Sequence, residues 1–342
     1  MFQSKKIGGA LGLFLLMALP AASADTSKIL VDPNAKWEAL SHAGKVSASG
    51  IASGRDGKVY IVDITNGLPP ETNPIGTLFQ YDPKTGTTTK VMEPSGQVNG
   101  VTLAPNGRLI MAQGPYGGGR AVVSRDLRTG KVVVLADRYN GKPFIGPNDV
   151  TVDQKGRIYF TDARFSATEE PQLPNAVYRL DPGGAVTQLA TDMLRPNGLR
   201  ISPDGKTLYV ADSVTERLKD NPVGPKADKF GITKGGVAAY DIDAKGNISN
   251  GRLIWRNDTV LADGLAIDTE GNLYVACHDR PNRMIVVLSP SGQLIEQLPV
   301  PEQGNTNQIA FGRGSDAGTL YVTTSAPWGF YRIKTLKKGF VF

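Results

Sequence analysis

Six times along the 342-residue chain a small polar side chain opens the same short phrase: Ser49, Asn99, Asn148, Asn197, Asp263 and Asn307. The first five each stand eight positions ahead of a turn glycine (Gly57, Gly107, Gly156, Gly205 and Gly271), which puts them at one structural level. Gathered around an axis, they form a polar ring of hard oxygen donors. A cation held by Asp263, Asn197 and Asn148 with backbone carbonyls and water suits Ca2+, which takes roughly six to eight oxygens in a flexible shell. Softer metals fit poorly. The chain has two histidines, His42 and His278, and one cysteine, Cys277, so neither a zinc cage nor a Ser-His-Asp triad is easily assembled.

A second explanation of the ring uses no chemistry. Asn-Gly and Asp-Gly are favoured hairpin dipeptides because both residues tolerate positive φ, and Asn99-Gly100, Asn197-Gly198 and Asp263-Gly264 fit that description. Asn148-Asp149 and Asn307-Gln308 keep the polar residue and lose the glycine. Side-chain chemistry is therefore maintained where turn chemistry is not.

The elements that carry the ring read as β-strands. In the third unit DVTVD alternates with period two; a QKG turn, RIYFTD, NAVYRLDP, a GG turn and AVTQLAT follow, giving four short strands joined by hairpins. The same series runs through YVAD, VAAYDID and RLIWR near the fifth unit, and later through MIVVLSP and QLIEQLPV. Four strands repeated at a period of about 40 to 50 residues is the signature of a propeller, and six repeats predict an all-β, six-bladed β-propeller with four-stranded blades. Residues 28–42, KILVDPNAKWEALSH, are expected to supply the strand that closes the ring against the last blade. Between the fourth and fifth units the spacing widens, and SVTERLKDNPVGPKADKFGITK reads there as a long surface loop; RFSATEEPQLPN after Asp162 is a second candidate rim.

Residues 1–24 read as a signal peptide. Lys5 and Lys6 precede a short apolar run, and Ala22-Ser23-Ala24 offers a small-residue cleavage pattern. The expectation is one propeller domain over residues 25–342, periplasmic or secreted, without a spanning segment in the mature chain. The formal charge of +6 falls to +4 once Lys5 and Lys6 are removed, and Lys and Arg are interspersed with Asp and Glu, so nucleic-acid binding has no footprint. Cys277, in LYVAC, reads as a small buried hydrophobe, and Trp328 and Phe330 as blade packing.

The phrases GPNDVTVDQKGRIYFTD, AVYRLDPGG, RPNGLRISPDGKTLYVADS, DGLAIDTEGNLYVA and TNQIAFGRG resemble the SMP-30/gluconolactonase family of six-bladed propellers, from about Ser49 to Arg332. The resemblance implies a divalent cation, usually Ca2+, on the axis and hydrolysis of sugar lactones or related cyclic esters. By position it implies Asn197 and Asp263 as metal ligands and Asn148 as a metal- or substrate-facing asparagine. Ser49 stands where the family carries a glutamate ligand, and Gly146 where some members carry an arginine two residues before the asparagine. On this reading the cation polarises a lactone carbonyl for water attack, Asp263 anchors the ion and accepts a proton, and Asn148 and Asn99 orient the substrate. Asp149 is a runner-up base, turned away from Asn148 by strand alternation. Asp63, Asp162 and Asp212, which end second strands, fit a turn or edge role, and His278 a surface or rim position. The same axial site also suits a propeller that binds a ligand or partner without catalysis, or a lyase.

Overall fold

The computed structural model describes residues 32, 34–40, 48–64, 76–115, 117–165, 171–214, 229–278, 283–301, 305–325 and 329–341. The expected signal peptide (residues 1–24), His42, Trp328, residues 215–228 of one candidate rim loop and residues 166–170 of the other lie outside these residues. Within them the chain folds into six four-stranded antiparallel sheets, with a two-stranded hairpin (Arg138–Tyr139 with Lys142–Pro143) between the second and third. The innermost strands, in blade order 1 to 6, are Ala48–Ser53, Val98–Leu103, Pro147–Val152, Pro196–Ile201, Leu261–Ile267 and Asn305–Phe311. Each neighbours the next, and the sixth neighbours the first, so the sheets close into a six-bladed propeller. The strands Gly235–Ile242 and Ile248–Asn257, which carry VAAYDID and RLIWR, complete blade 4 and so precede the fifth phrase.

Apolar side chains alternate along each strand, so both faces of a blade are apolar and each must be covered by a neighbour. Six hydrophobic clusters result, one between each pair of adjacent blades. Between blades 2 and 3, for example, Phe144 packs edge-on against Phe160 with ring centroids 5.1 Å apart, and Phe160 stacks on Tyr178 at 5.4 Å. Phe330, 1% exposed, sits between Tyr81 and Tyr321 as blade packing. Cys277 is fully buried, and burial pushes its thiol up, which keeps it protonated and inert.

Closure joins the two ends of the chain. Strand Glu38–Ala39 pairs antiparallel with Gly329–Lys334 as the outermost strand of blade 6, with Glu38 opposite Arg332. The Arg332 guanidinium donates Nε and Nη2 to the two Glu38 carboxylate oxygens at 2.8 Å each, a bidentate clasp across the seam. Past the last blade the chain returns beneath the channel: the Phe340 N–H donates to the Ile267 carbonyl at 2.9 Å, and Phe340 lines the lower end of the axis.

Candidate active site

Every inner strand carries a β-bulge at the predicted polar residue. The pairing with the second strand shifts register between Ala48 and Ile51, Val98 and Val101, Pro147 and Val150, Pro196 and Leu199, Ala262 and Leu265, and Thr306 and Gln308. A bulge re-aims the side chains it spans. Here it turns the ring residue to the mouth and its successor into the channel below.

The glycines after the ring residues have a different purpose from the hairpin explanation. Gly100, Gly198 and Gly264 are not among the positive-φ glycines, whereas all five turn glycines of the repeat are, with φ between 72° and 88°. A Cβ on Gly100 would lie 2.6 Å from the Asn148 carbonyl oxygen, and one on Gly198 2.4 Å from that of Asp263. Neighbouring inner strands approach too closely for a side chain there. The Asn-Gly dipeptides are therefore marks of a narrow channel, and the hairpin explanation does not hold.

All six ring residues line one cavity of about 280 Å³ at the mouth of the channel, with Gln97, Phe165, Arg195, Ser213, His278 and Ser325 among its walls. Hydroxyls in the second strands tie successive ring positions together. Thr161 Oγ1 donates to the Asn197 carbonyl at 2.8 Å, Thr323 Oγ1 to the Ser49 carbonyl at 2.7 Å, and Ser213 Oγ to the Ala262 carbonyl. The ring is thereby held from blade to blade.

The ring side chains are in distinct states. Asn148 is 7% exposed, and among the described residues its amide takes no protein partner. Asn197 donates Nδ2 to Ser213 Oγ at 3.2 Å, which leaves Oδ1 as an acceptor. Ser49 donates its hydroxyl to Asn99 Oδ1, so Asn99 faces the cavity with donor capacity at Nδ2. Asn307 Oδ1 accepts from Ser325. The Asp263 carboxylate, its side chain 21% exposed, lies with Oδ2 3.2 Å from His278 Nε2.

His278 is therefore part of the site, and the expectation of a surface or rim histidine is corrected. It ends the second strand of blade 5, and Leu261 of the inner strand pairs opposite it, which brings it over the Asp263 bulge. The position was legible as a strand end but not as a neighbour of Asp263, because the bulge that joins them has no signature in the phrase. Arg195 was also missed. It lies two residues before Asn197, and its guanidinium carbon stands 4.1 Å over the centre of the Phe165 ring. Burial lowers its pKa to about 10, with the Asp263 and Asp212 charges acting against the shift, so it stays cationic at neutral pH.

Two of the carboxylates at the ends of second strands, Asp162 and Asp212, are clasps. Asp162 accepts the N–H groups of Ile145 at 3.0 Å and Gly146 at 2.7 Å; Asp212 accepts those of Leu194 at 3.1 Å and Arg195 at 2.7 Å. Each holds the chain that enters the inner strand of its own blade, in accord with a turn role. Burial raises Asp162 to about 6 from 3.8, with the two backbone N–H groups opposing. The folded protein then binds the proton more tightly than the unfolded chain. The associated stability is present below about pH 4 and is lost as pH rises through about 6. The stability advantage of wild type over Asp162→Asn is expected to shrink by about 2–3 kcal/mol between pH 4 and pH 7, read by urea denaturation across that range. A constant difference across that range would show that Asp162 titrates as an ordinary carboxylate.

Asp149 is not at the mouth, and its runner-up role as a base is corrected. Among the six residues that follow ring positions, four are glycines (Gly50, Gly100, Gly198, Gly264) and two, Asp149 and Gln308, project into the space those glycines leave. They come from blades 3 and 6, three places apart in the ring, and Gln308 Nε2 donates to Asp149 Oδ2 across the axis at 3.2 Å. The same oxygen receives Arg200 Nη1 at 3.1 Å and the Leu199 N–H at 3.3 Å, and Oδ1 receives the Val150 N–H at 2.8 Å. The carboxylate is saturated and buried, a polar plug beneath the ring.

The donor chemistry fits a hard cation. Among the described residues no three His, Cys, Asp or Glu side chains converge, so the donors are amide and hydroxyl oxygens around one carboxylate. The partnerless Asn148 amide and the oriented Asn197 Oδ1 face the cavity beside Asp263.

A six-bladed propeller with a polar cavity on its axis, lined by Asp263 and by amide and hydroxyl side chains, is the class this architecture defines. Residues 107–326 match the family model of the SMP-30/gluconolactonase/LRE-like region, and the chain belongs to that family. It is 29% identical over 266 residues to a gluconolactonase of Zymomonas mobilis, covering 72% of this chain and 67% of that protein. Among solved structures, a gluconolactonase from Xanthomonas campestris superposes with a TM-score of 0.69 at 22% identity, covering 90% of this chain and 97% of the other. Regucalcin from Agrobacterium tumefaciens, described as a calcium-binding protein, does so with a TM-score of 0.67 at 17% identity over 89% and 95%. Both structures share the fold.

Proposed function

We propose that this protein is an exported hydrolase that opens a small lactone, a sugar lactone or related cyclic ester, with a divalent cation on the propeller axis. The observation that carries this reading is the convergence of Asp263, Asn148 and Asn197, from three successive blades, on one cavity with His278 beside Asp263. Membership of a family with gluconolactonase relatives supports the reaction class, and the signal-like pattern of residues 1–24 supports export.

The ion is Ca2+ in this reading, with Asp263, Asn148 and Asn197 as its ligands and the Ser49 hydroxyl adding a neutral oxygen. Bound there, it supplies Lewis-acid polarisation of the lactone carbonyl. The chain's residues do the rest. Asp263 and His278 form an acid–base pair in the cavity: the proton lost by the attacking water passes to this pair as oxygen adds to the carbonyl carbon. It then goes to the ring oxygen as the C–O ester bond breaks. Asn99, its Oδ1 already taken by Ser49, donates from Nδ2 to a substrate oxygen. Asn148 orients the carbonyl end of the ring. Gly146, in contrast, has no side chain to offer.

A single carboxylate among neutral donors binds Ca2+ weakly, near the extracellular range of roughly 10⁻⁴–10⁻³ M. A panel of aldonolactones and simple cyclic esters is therefore expected to be hydrolysed with added Ca2+ and spared after chelation, with activity returning at about millimolar Ca2+. Turnover that is indifferent to chelation would remove the ion from the mechanism, and a protein that binds lactones without opening them would be a binding module.

A further inference from the structure

Five of the six blades carry a tyrosine at one position of the second strand: Tyr60, Tyr159, Tyr209, Tyr274 and Tyr321. Each pairs with the residue three places after the ring residue of its blade, and in blade 2 that place, opposite Thr102, is held by Ile110. The five rings are buried in the seams between blades, where each hydroxyl finds an acceptor in a turn. Tyr60, Tyr274 and Tyr321 donate to Asp56, Asp268 and Asp316 of their own blades. Tyr159 and Tyr209 donate instead to the outer turn of the next blade, to the Gly246 carbonyl at 3.1 Å and the Pro290 carbonyl at 3.4 Å. Ile110, 3% exposed, lies in the seam between blades 2 and 3 and has neither ring nor hydroxyl to offer. A cleft of about 450 Å³ opens there, with Pro105, Ile110, Leu135, Ile158, Pro182 and Gly184 in its walls, and it shares no lining residue with the mouth cavity.

We propose that this cleft is a second binding site, separate from the mouth, and that its ligand is a small phenol whose ring takes the place of the missing tyrosine. Three observations support it. First, the walls are apolar where a ring would lie, and an apolar hollow of this kind takes small aromatic molecules. Second, the acceptors are in place. Gly184 closes the outer turn of blade 3 by donating its N–H to the Asp181 carbonyl at 2.8 Å, as Gly246 does to Asp243 at 2.9 Å in blade 4. Pro182 follows the first residue of that turn as Pro290 does in blade 5. The two backbone carbonyls that receive Tyr159 and Tyr209 therefore have counterparts in Gly184 and Pro182, both in the cleft wall. Third, the charged groups of the wall are engaged within the protein: Arg108 with Ser124 and Asp126, Lys155 with the Ala244 carbonyl, and Asp181 with Arg179. Recognition is left to the ring and its hydroxyl. The volume lies within the range of small-molecule sites and exceeds one ring, so substituted phenols fit as well.

The test titrates p-cresol, the tyrosine side chain as a free molecule, and toluene, which lacks the hydroxyl, into wild type, Ile110→Tyr and Leu135→Trp, with saturation-transfer NMR as the readout. Tyrosine at 110 restores the repeat and fills the cleft from within, whereas tryptophan at 135 narrows it from outside. Wild type is expected to bind p-cresol with a Kd of about a millimolar, in keeping with a ligand of so few atoms. Toluene should bind about 3- to 10-fold more weakly for want of the hydrogen bond. Both variants should weaken p-cresol by at least about 10-fold while keeping a cooperative thermal transition. Should Ile110→Tyr not fold, Leu135→Trp decides alone. Absence of p-cresol binding to wild type, or binding that survives in a folded variant, overturns the site. Equal affinity for toluene and p-cresol overturns the phenol as its ligand class.

Discussion

Asp263→Ala is expected to lower kcat/KM for any lactone this protein opens by at least about 10³-fold, without a comparable loss of stability. The magnitude follows from what the residue combines. Among the described residues it is the one carboxylate lining the cavity, and it is the anionic ligand in the proposed ion site and the partner of His278 at 3.2 Å. Alanine removes ion affinity and proton acceptance together, and two roles in one side chain do not divide additively. The fold should tolerate the change, since the side chain is 21% exposed at a mouth and the backbone contact with Gly198 is retained. Asp263→Asn separates the roles: it keeps an oxygen ligand but loses the charge, so the Ca2+ needed for half-maximal rate should rise while the rate at saturating Ca2+ stays low. His278→Gln should cost less, about 10- to 100-fold, because it removes only the proton partner. Steady-state kinetics over a Ca2+ titration distinguishes these. Retention of more than a tenth of wild-type activity in Asp263→Ala would sink the assignment of Asp263.

Much of this site was legible in the sequence because a propeller repeats itself. The fixed offset between Ser49, Asn99, Asn148, Asn197 or Asp263 and its turn glycine is a structural coordinate, so equivalent residues were bound to meet at one end of one channel. Closure was expected of residues 28–42 because they precede the first full repeat, and Glu38–Ala39 is the outermost strand of blade 6. What did not show was anything dependent on a bulge. Strict alternation would send Asn148 and Asp149 to opposite faces of the strand. The register shift between Pro147 and Val150 instead places both on the axis, one at the mouth and one beneath it. His278 was hidden in the same way by the bulge at Asp263, and Arg195 because it stands just outside the repeating phrase and packs across elements on Phe165. Gly100, Gly198 and Gly264 were read for what their φ permits, when their missing Cβ is what matters.

The largest expected effect on stability lies below the ring, at Asp149. Its carboxylate is 1% exposed and meets Arg200, Gln308 and two backbone N–H groups, so three blades converge on it. Burial pushes Asp149 up from the ordinary carboxylate range, with the Arg200 charge and these hydrogen bonds opposing. Asp149→Ala leaves the Arg200 guanidinium, its side chain 15% exposed, inside the channel without its carboxylate, and opens a gap that Gln308 alone cannot fill. The expected cost is about 3–5 kcal/mol by urea denaturation. Removing both charges should be milder. In Asp149→Leu/Arg200→Met the channel is filled with apolar volume and no buried ion remains, so the double variant should be more stable than either Asp149→Ala or Asp149→Leu. Stability and activity should then part company. Asp149 fixes the strand on which Asn148 stands, through its own N–H to Thr161 Oγ1 at 3.1 Å and its carboxylate to the neighbouring blade. A channel refilled with leucine and methionine restores packing and keeps the N–H bond to Thr161, but it does not restore the bonds of the carboxylate. The double variant should therefore fold well and bind lactone more weakly than wild type, as a rise in KM. Equal stability of Asp149→Ala and the double variant would show instead that Arg200 finds water when its partner is gone, and that the plug is filler.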